Sequence, residues 1–563
     1  MDYDLKVTGG TIADGSGGPL RVGDVAVRDG RLVAVGDAPG TARTTIDATD
    51  RVVAPGFIDV HTHYDAQILW DPMMTISPWH GVTSAVMGNC GFGVAPTRPA
   101  HRELVLRTLE KVEGMSFACL EAGCGNDWAF ETFPEYLDTI EGRGTAINVA
   151  AFIGHTPLRL YVLGEEATER AATDDEIARM KAIVRDAIDA GAIGFASSKS
   201  PTHVGYAGKP VPSRLAELKE IETVASALGE AGRGIVQATV ASGFFIDELG
   251  ALSRATGRPV TWTALLSGML GPGSHRAFLE MSEKVLETGA QVIPQVACRP
   301  LNFEFDLAEP FVFESLSVFG PVSAADRAGK LRIYADPDFR RRFAQAAGDG
   351  VGPFSNPWGR LTISHSPSEP ALVERSLEEV ARERGVPPAD CMLDLGIASD
   401  LAARFRFAVM NFDEDEVAEL LQHPATMIGL SDAGAHANQL CDACFSTHLL
   451  GHWVRERGTL ALERAVWMLT GRPAEVMDIA DRGRLEPGLA ADMVVFDPDT
   501  VAPSPLRRVH DLPAGAERLI ADAYGIDAVI VNGTVVREHG HDVVDATGPL
   551  PGRLLRGGRA ASA

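Results

Sequence analysis

Several things are missing from this chain, and each absence narrows what it can be. No run of about eighteen apolar residues occurs, so no membrane-spanning helix is expected. The opening residues, MDYDLKVTGG, carry neither a basic patch nor an apolar stretch, so no secretory signal is expected either. Nothing matches GxxxxGK[ST]. The Gly-rich stretch GVTSAVMGNCGFG lacks the strand–helix setting of a dinucleotide fingerprint. Basic residues are in deficit: 51 Lys and Arg against 76 Asp and Glu leave a net charge of −25. That surplus argues against nucleic acid and anionic membrane surfaces as partners. Only seven cysteines occur, an odd number scattered through a long chain, which fits reduced thiols in a cytoplasm. Cys441 and Cys444 have CxxC spacing but no second pair or redox context, and are read as incidental.

What is present is the composition of a soluble globular protein, 45 % hydrophobic and 23 % charged, on 563 residues. That length suffices for one large domain and a smaller one. Residues 1–55 read as short β-branched runs between Gly and Asp turns, such as GDVAVRDGRLVAVG. Residues 481–563 return to the same style in IDAVIVNGTVVREHG, so both ends are expected to build one small β domain, a β-sandwich. Between them, over 56–480, short apolar runs alternate with helical spacing: NVAAFIG, then TDDEIARMKAIVRDAIDAG, then AIGFASS. Repeated βα units predict a parallel sheet with helices outside it, here an α/β fold of the (β/α)8 TIM-barrel type. The aromatic and proline-rich stretch of about 299–359 breaks the alternation and is expected to be an insertion near the barrel mouth.

One stretch carries chemistry by itself. In GFIDVHTHYDAQ, His61 and His63 stand at alternate positions at the end of an apolar run. Side chains at i and i+2 of a strand share a face, so both imidazoles point into a barrel at the end where such barrels do their chemistry. Two imidazoles at this spacing can chelate a divalent ion, with zinc the leading choice. A polar strand end facing solvent is the plain alternative. Asp59, before the pair, is placed to brace one ring from behind.

The segment VVAPGFIDVHTHYD resembles the first barrel strand of the amidohydrolase superfamily, and GLAADMVVFDPDT resembles its usual tail. SPWHGVTSAVMGNCGFGVAP and LSDAGAHANQLCDACFSTHLL resemble, more narrowly, its N-acyl-D-amino-acid deacylase (D-aminoacylase-like) branch. The resemblance implies that Cys90 of GNCG is a metal ligand beside His61 and His63, and that Asp432 of SDAGAH closes the barrel on its last strand. Asp432 would ligate the metal and act as general base, passing a proton to the leaving nitrogen. A small buried thiol and a turn aspartate are what these residues would be otherwise.

The chain also departs from that pattern. The superfamily supplies two further histidines from the fifth and sixth strands, but GRGIVQATVAS and RPVTWTALLSG contain none. Gln237 and Thr261 or Thr263 lie where such ligands would be, and neither type is a strong zinc ligand. The expected cofactor is therefore a divalent metal of one or two ions. Lys199 follows the fourth strand, where some superfamily members carry a carbamylated lysine; it could also hold a substrate carboxylate or be a plain surface lysine. His155, after the third strand, could polarise a carbonyl or merely cap the next helix. His203 and His365 point more weakly, and His436 lies close enough in sequence to stand behind Asp432.

The expectation is a metal-dependent hydrolase of a small C–N amide, an N-acyl-D-amino acid first among them. A cyclic amide, lactam or ester hydrolase on the same barrel, and a metal-poor ligand-binding descendant, stay open as alternatives. A small-molecule substrate is implied and a homo-oligomer is left open.

Overall fold

The computed structural model describes residues 1–125, 128–314, 316–348 and 357–560. Eight parallel strands form its centre: β1 (Phe57–Asp59), β2 (Val82–Met87), β3 (Asn148–Gly154), β4 (Gly194–Ser198), β5 (Ile235–Thr239), β6 (Val260–Thr263), β7 (Val292–Val296) and β8 (Met427–Ile428). They neighbour one another in chain order. A parallel bridge between Thr62 and Ala433, with His63 N–H donating to Ala433 O at 2.7 Å, joins the two ends and closes the barrel. Strands β2 and β3 are buried at every residue, as a sheet covered on both faces requires. The helices between them follow their sequence signals. The helix Asp174–Ala190 begins on a Thr173–Glu176 capping box and ends at Gly191 in the left-handed region.

Both termini meet in one nine-stranded sheet. Val52–Pro55 pairs antiparallel with Met493–Phe496 and so stitches the two ends of the chain together. Alternation decides what each face covers. Val53, Met493 and Val495 join Leu5, Val25 and Ile530 in a core of the β domain's own. Val52, Ala54, Val494 and Phe496 face the main barrel core, where Phe496 meets Phe57 at 6.4 Å between ring centroids. The final residues leave this sheet. Val149 at the base of β3 donates to Arg553 O at 3.0 Å, and Leu555 packs among Ile58, Phe152 and Ile293. Two adjacent leucines at 554 and 555 draw this segment under the barrel.

The insertion is longer than the sequence indicates. Leu301–Asp306, Leu361–His365 and Arg404–Met410 form a three-stranded antiparallel sheet. A separate aromatic core built on Phe305, Phe313, Phe343 and Phe405 spans the same unit through Val409. The unit therefore runs over about 301–410 instead of ending near 359, because its last strand supplies the middle of its sheet. Residues 315 and 349–356 of the expected insertion lie outside the described residues. Among the described residues no helix is long and apolar enough to cross a membrane.

Candidate metal centre

The site is built on the C-terminal rim of the barrel. His61 and His63 follow β1, and their ring centroids stand 5.3 Å apart. Cys90 lies in a tight turn after β2, where Gly88 and Gly91 take positive φ and Cys90 itself sits at φ 57°. A side chain at Gly88 would meet Phe152 O at 2.4 Å, so the turn needs glycine there. Cys90 is held in its left-handed conformation by Gln237, whose Oε1 accepts its backbone N–H at 2.7 Å. Backbone strain held by its surroundings is a mark of functional sites.

Ligand atoms of His61, His63 and Cys90 all lie within 4.8 Å of one another. All three residues are buried, with 1, 7 and 7 % exposure. Cys90 Sγ stands 3.5 Å from His61 Nε2. Burial opposes ionisation of the thiol, but the two imidazoles more than offset it and bring its pKa down to about 6. The donor set of two imidazoles and a thiolate suits zinc or a similar borderline ion. His63 Nδ1 faces the other way, toward Glu113. It lies buried 3.2 Å from a Glu113 carboxylate oxygen, yet off the line a hydrogen bond needs, so it has charge contact without a hydrogen-bond partner.

Asp432 stands outside that three-residue group. Its Oδ1 is 3.3 Å from His61 Nε2 and 3.8 Å from His63 Nε2. Its backbone is left-handed at φ 45°, and Gly434 beside it is too close to His63 O to carry a side chain. Three of the four expected ligands therefore converge, and the fourth waits beside them, a quarter exposed toward the mouth.

Asp59 does not brace a ring. Its carboxylate accepts the His61 backbone N–H at 3.2 Å and the Ser431 hydroxyl, tying β1 to the loop after β8. Burial pushes its pKa up to about 7. The ring of His61 is held instead by Gln295 on β7, with Nδ1 and Oε1 2.7 Å apart. Neither Gln295 nor Glu113 was singled out from the sequence. Each left a signal: Gln295 is an inward-facing amide in the apolar run VIPQVA, and Glu113 is an acid ending the helix α1 (Arg102–Glu113), where the dipole disfavours negative charge.

The remaining candidates are engaged by other partners, although His203 shares the Phe92 ring with His63. Lys199 Nζ donates to Arg214 O and Ala216 O, both at 2.6 Å, clamping the loop after β4. Burial lowers its pKa. His155 is fully buried and has both ring nitrogens engaged, by Ser197 at 2.8 Å and Glu220 at 2.9 Å. His436 packs edge-on against Phe303 of the insertion at 6.0 Å. His203 meets Ser198 and the Phe92 ring, and His365 belongs to the inserted sheet.

The amidohydrolase family model matches residues 44–537. The D-aminoacylase of Alcaligenes xylosoxydans xylosoxydans is 32 % identical over 559 residues, spanning 98 % of this chain and 97 % of that one. A structure of D-aminoacylase, solved to define the functional role of its binuclear metal centre, has a TM-score of 0.66 at 29 % identity over 98 % of this chain and 100 % of its own. The N-acyl-D-glutamate deacylase of Bordetella bronchiseptica, complexed with zinc and a phosphonate mimic of the tetrahedral intermediate, has a TM-score of 0.65 at 29 % identity, over 99 % and 100 %. With the rim histidines, the barrel and these matches in place, the chain belongs to the amidohydrolase family.

Proposed function

We propose that this amidohydrolase cleaves the amide bond of an N-acyl-D-amino acid or a closely related small amide, with zinc as its metal. The observation that carries the reading is the convergence of His61, His63 and Cys90 on one point of the barrel rim, with the Asp432 carboxylate beside them. The likeness to two deacylases over nearly the whole chain supports the substrate class. A divalent ion held by His61, His63 and Cys90 would polarise the scissile carbonyl and lower the pKa of water.

The rest is the work of this chain's own groups. Asp432 takes the proton of the attacking water and returns it to the amide nitrogen as that nitrogen leaves. Its place 3.3 Å from His61 Nε2 keeps the carboxylate within reach of the reacting centre. Glu113 and Gln295 hold the two imidazoles from behind, so that both Nε2 atoms face the mouth. The test is a substrate panel on the zinc-loaded protein: N-acyl-D-amino acids, their L forms, cyclic imides and simple esters. Release of free D-amino acid, abolished by a chelator and restored by zinc, is expected. Turnover confined to the cyclic imides or the esters would overturn the proposed substrate.

A further inference from the structure

The wall of the barrel facing the three-residue cluster is made of neutral groups that already satisfy one another. Gln237 on β5, Thr261 and Thr263 on β6 and Gln295 on β7 all point inward and are buried. Gln237 Oε1 accepts the Cys90 N–H, and its Nε2 donates to Thr263 Oγ1 at 3.4 Å. Thr263 Oγ1 in turn donates to Thr239 Oγ1 at 3.3 Å. Gln295 Nε2 donates to Thr261 Oγ1 at 3.1 Å, which leaves its Oε1 facing His61 Nδ1.

Two consequences follow from ordinary coordination chemistry. Amides and hydroxyls are weak ligands for zinc-class ions, and here both amide oxygens are already accepting protons. This wall therefore offers no thiolate, imidazole or carboxylate to a second ion. Among the described residues, His61, His63 and Cys90 form the only group of three or more such ligands. An amide oxygen can only accept, so Gln295 requires the proton of His61 on Nδ1 and leaves Nε2 with its lone pair free. A partner on the far nitrogen is how proteins fix the ligating face of a histidine.

We infer that the rim binds a single divalent ion, on His61 Nε2, His63 Nε2 and Cys90 Sγ, and that Gln295 is the positioning residue that turns His61 toward it. This rests on the reading of the cluster as a metal centre. The D-aminoacylase that this chain resembles has a binuclear centre with one-metal activation and second-metal attenuation, and here the wall lacks ligands for the second ion. An ion held by these three side chains would keep room for water or substrate, and Asp432, which stands outside the cluster, would not be needed as a ligand.

The test counts ions and needs no substrate. The metal-stripped full chain is dialysed to saturation against Zn2+ or Co2+ and its metal measured by elemental analysis. One ion per chain is expected, lost in His61→Ala, with a sulfur-to-cobalt charge-transfer band that vanishes in Cys90→Ser. Gln295→Leu should weaken metal binding by about 10–100-fold at unchanged stoichiometry, while Gln295→Glu, which still accepts the Nδ1–H, should bind close to wild type. Equal loss in both variants, or none in Gln295→Leu, would overturn the positioning role. Two ions per chain, both abolished by His61→Ala, would overturn the single-ion site. A second ion that survives both His61→Ala and Cys90→Ser sits elsewhere and leaves the count at the rim at one. A second ion that survives His61→Ala but is lost in Cys90→Ser lies on this wall and would overturn the single-ion site too. No bound ion at all would sink the metal reading together with this inference, whereas hydrolysis of an unexpected substrate would touch only the proposed function.

Discussion

Asp432, after the last barrel strand, reaches His61, after the first, at 3.3 Å across the seam where the barrel closes. The bridge between Thr62 and Ala433 is what brings them together. Barrel closure thus brings the Asp432 carboxylate to a cluster already built after the adjacent strands β1 and β2.

Removing the Asp432 carboxylate while keeping its shape is the first consequence to check. Asp432→Asn is expected to lower turnover by about 10²–10⁴-fold, the usual worth of a positioned base. Metal content and unfolding midpoint should stay at the wild-type level, because Asp432 stands outside the three-residue cluster. Steady-state kinetics with parallel metal analysis read both. A rate near wild type would remove Asp432 from the mechanism.

Glu113 faces His63 Nδ1 at 3.2 Å from a buried position. Burial works against a charged imidazole, and the Glu113 carboxylate is the largest influence that opposes it, holding the His63 pKa well above its usual value. Glu113→Ala is expected to weaken metal binding by about 10–100-fold. Competition with a chromophoric chelator measures this directly. Unchanged affinity would mean that Glu113 only fills space.

His80 offers a prediction about stability. Its ring is fully buried, bonded to Thr447 Oγ1 at 2.8 Å and Ala521 O at 3.0 Å. Burial brings its pKa down from 6.5 to about 4. The unfolded chain therefore takes up this proton first as pH falls. The stability tied to the neutral ring is full above about pH 6.5 and is lost progressively as pH drops toward 4, by about 3 kcal/mol. Urea unfolding of wild type and His80→Gln across that window should show a difference that shrinks with falling pH. A difference that stays constant would mean the ring does not titrate on unfolding.

Asp492 joins barrel to β domain. It accepts from Asn148 Nδ2 at 2.9 Å and from Asn532 N–H at 2.7 Å, and pairs with the buried Arg482. Asp492→Ala strips these donors of their acceptor in the interior and is expected to cost about 3–5 kcal/mol. Chemical denaturation gives the value. A loss under about 1 kcal/mol would show that water or Asp481 takes over.

Much of this was open to reading in the linear chain because the relevant signals are local. The alternation of His61 and His63 places both rings on one side of a strand whatever surrounds it. The repeated βα pattern yields a parallel sheet with helices outside, and the β-rich ends announce a shared domain. The lack of histidine in the fifth and sixth strands is likewise plain, and the structure puts Gln237, Thr261 and Thr263 on those strands. The extent of the insertion was hidden, because its final strand, Arg404–Met410, pairs with Leu301–Asp306 across the whole unit.

What the amino-acid order decided alone was the kind of chemistry available: two imidazoles, one thiol and one carboxylate at the ends of strands. Only the closed barrel decided which of them meet, and what stands behind each. Gln295 and Glu113 lie far along the chain from one another, and each becomes a partner of the rim because β7 and the end of α1 arrive there. Hydrogen bonds and ion contacts act over a few ångströms of space, and spacing along the chain carries no record of such distances until the fold has brought its ends together.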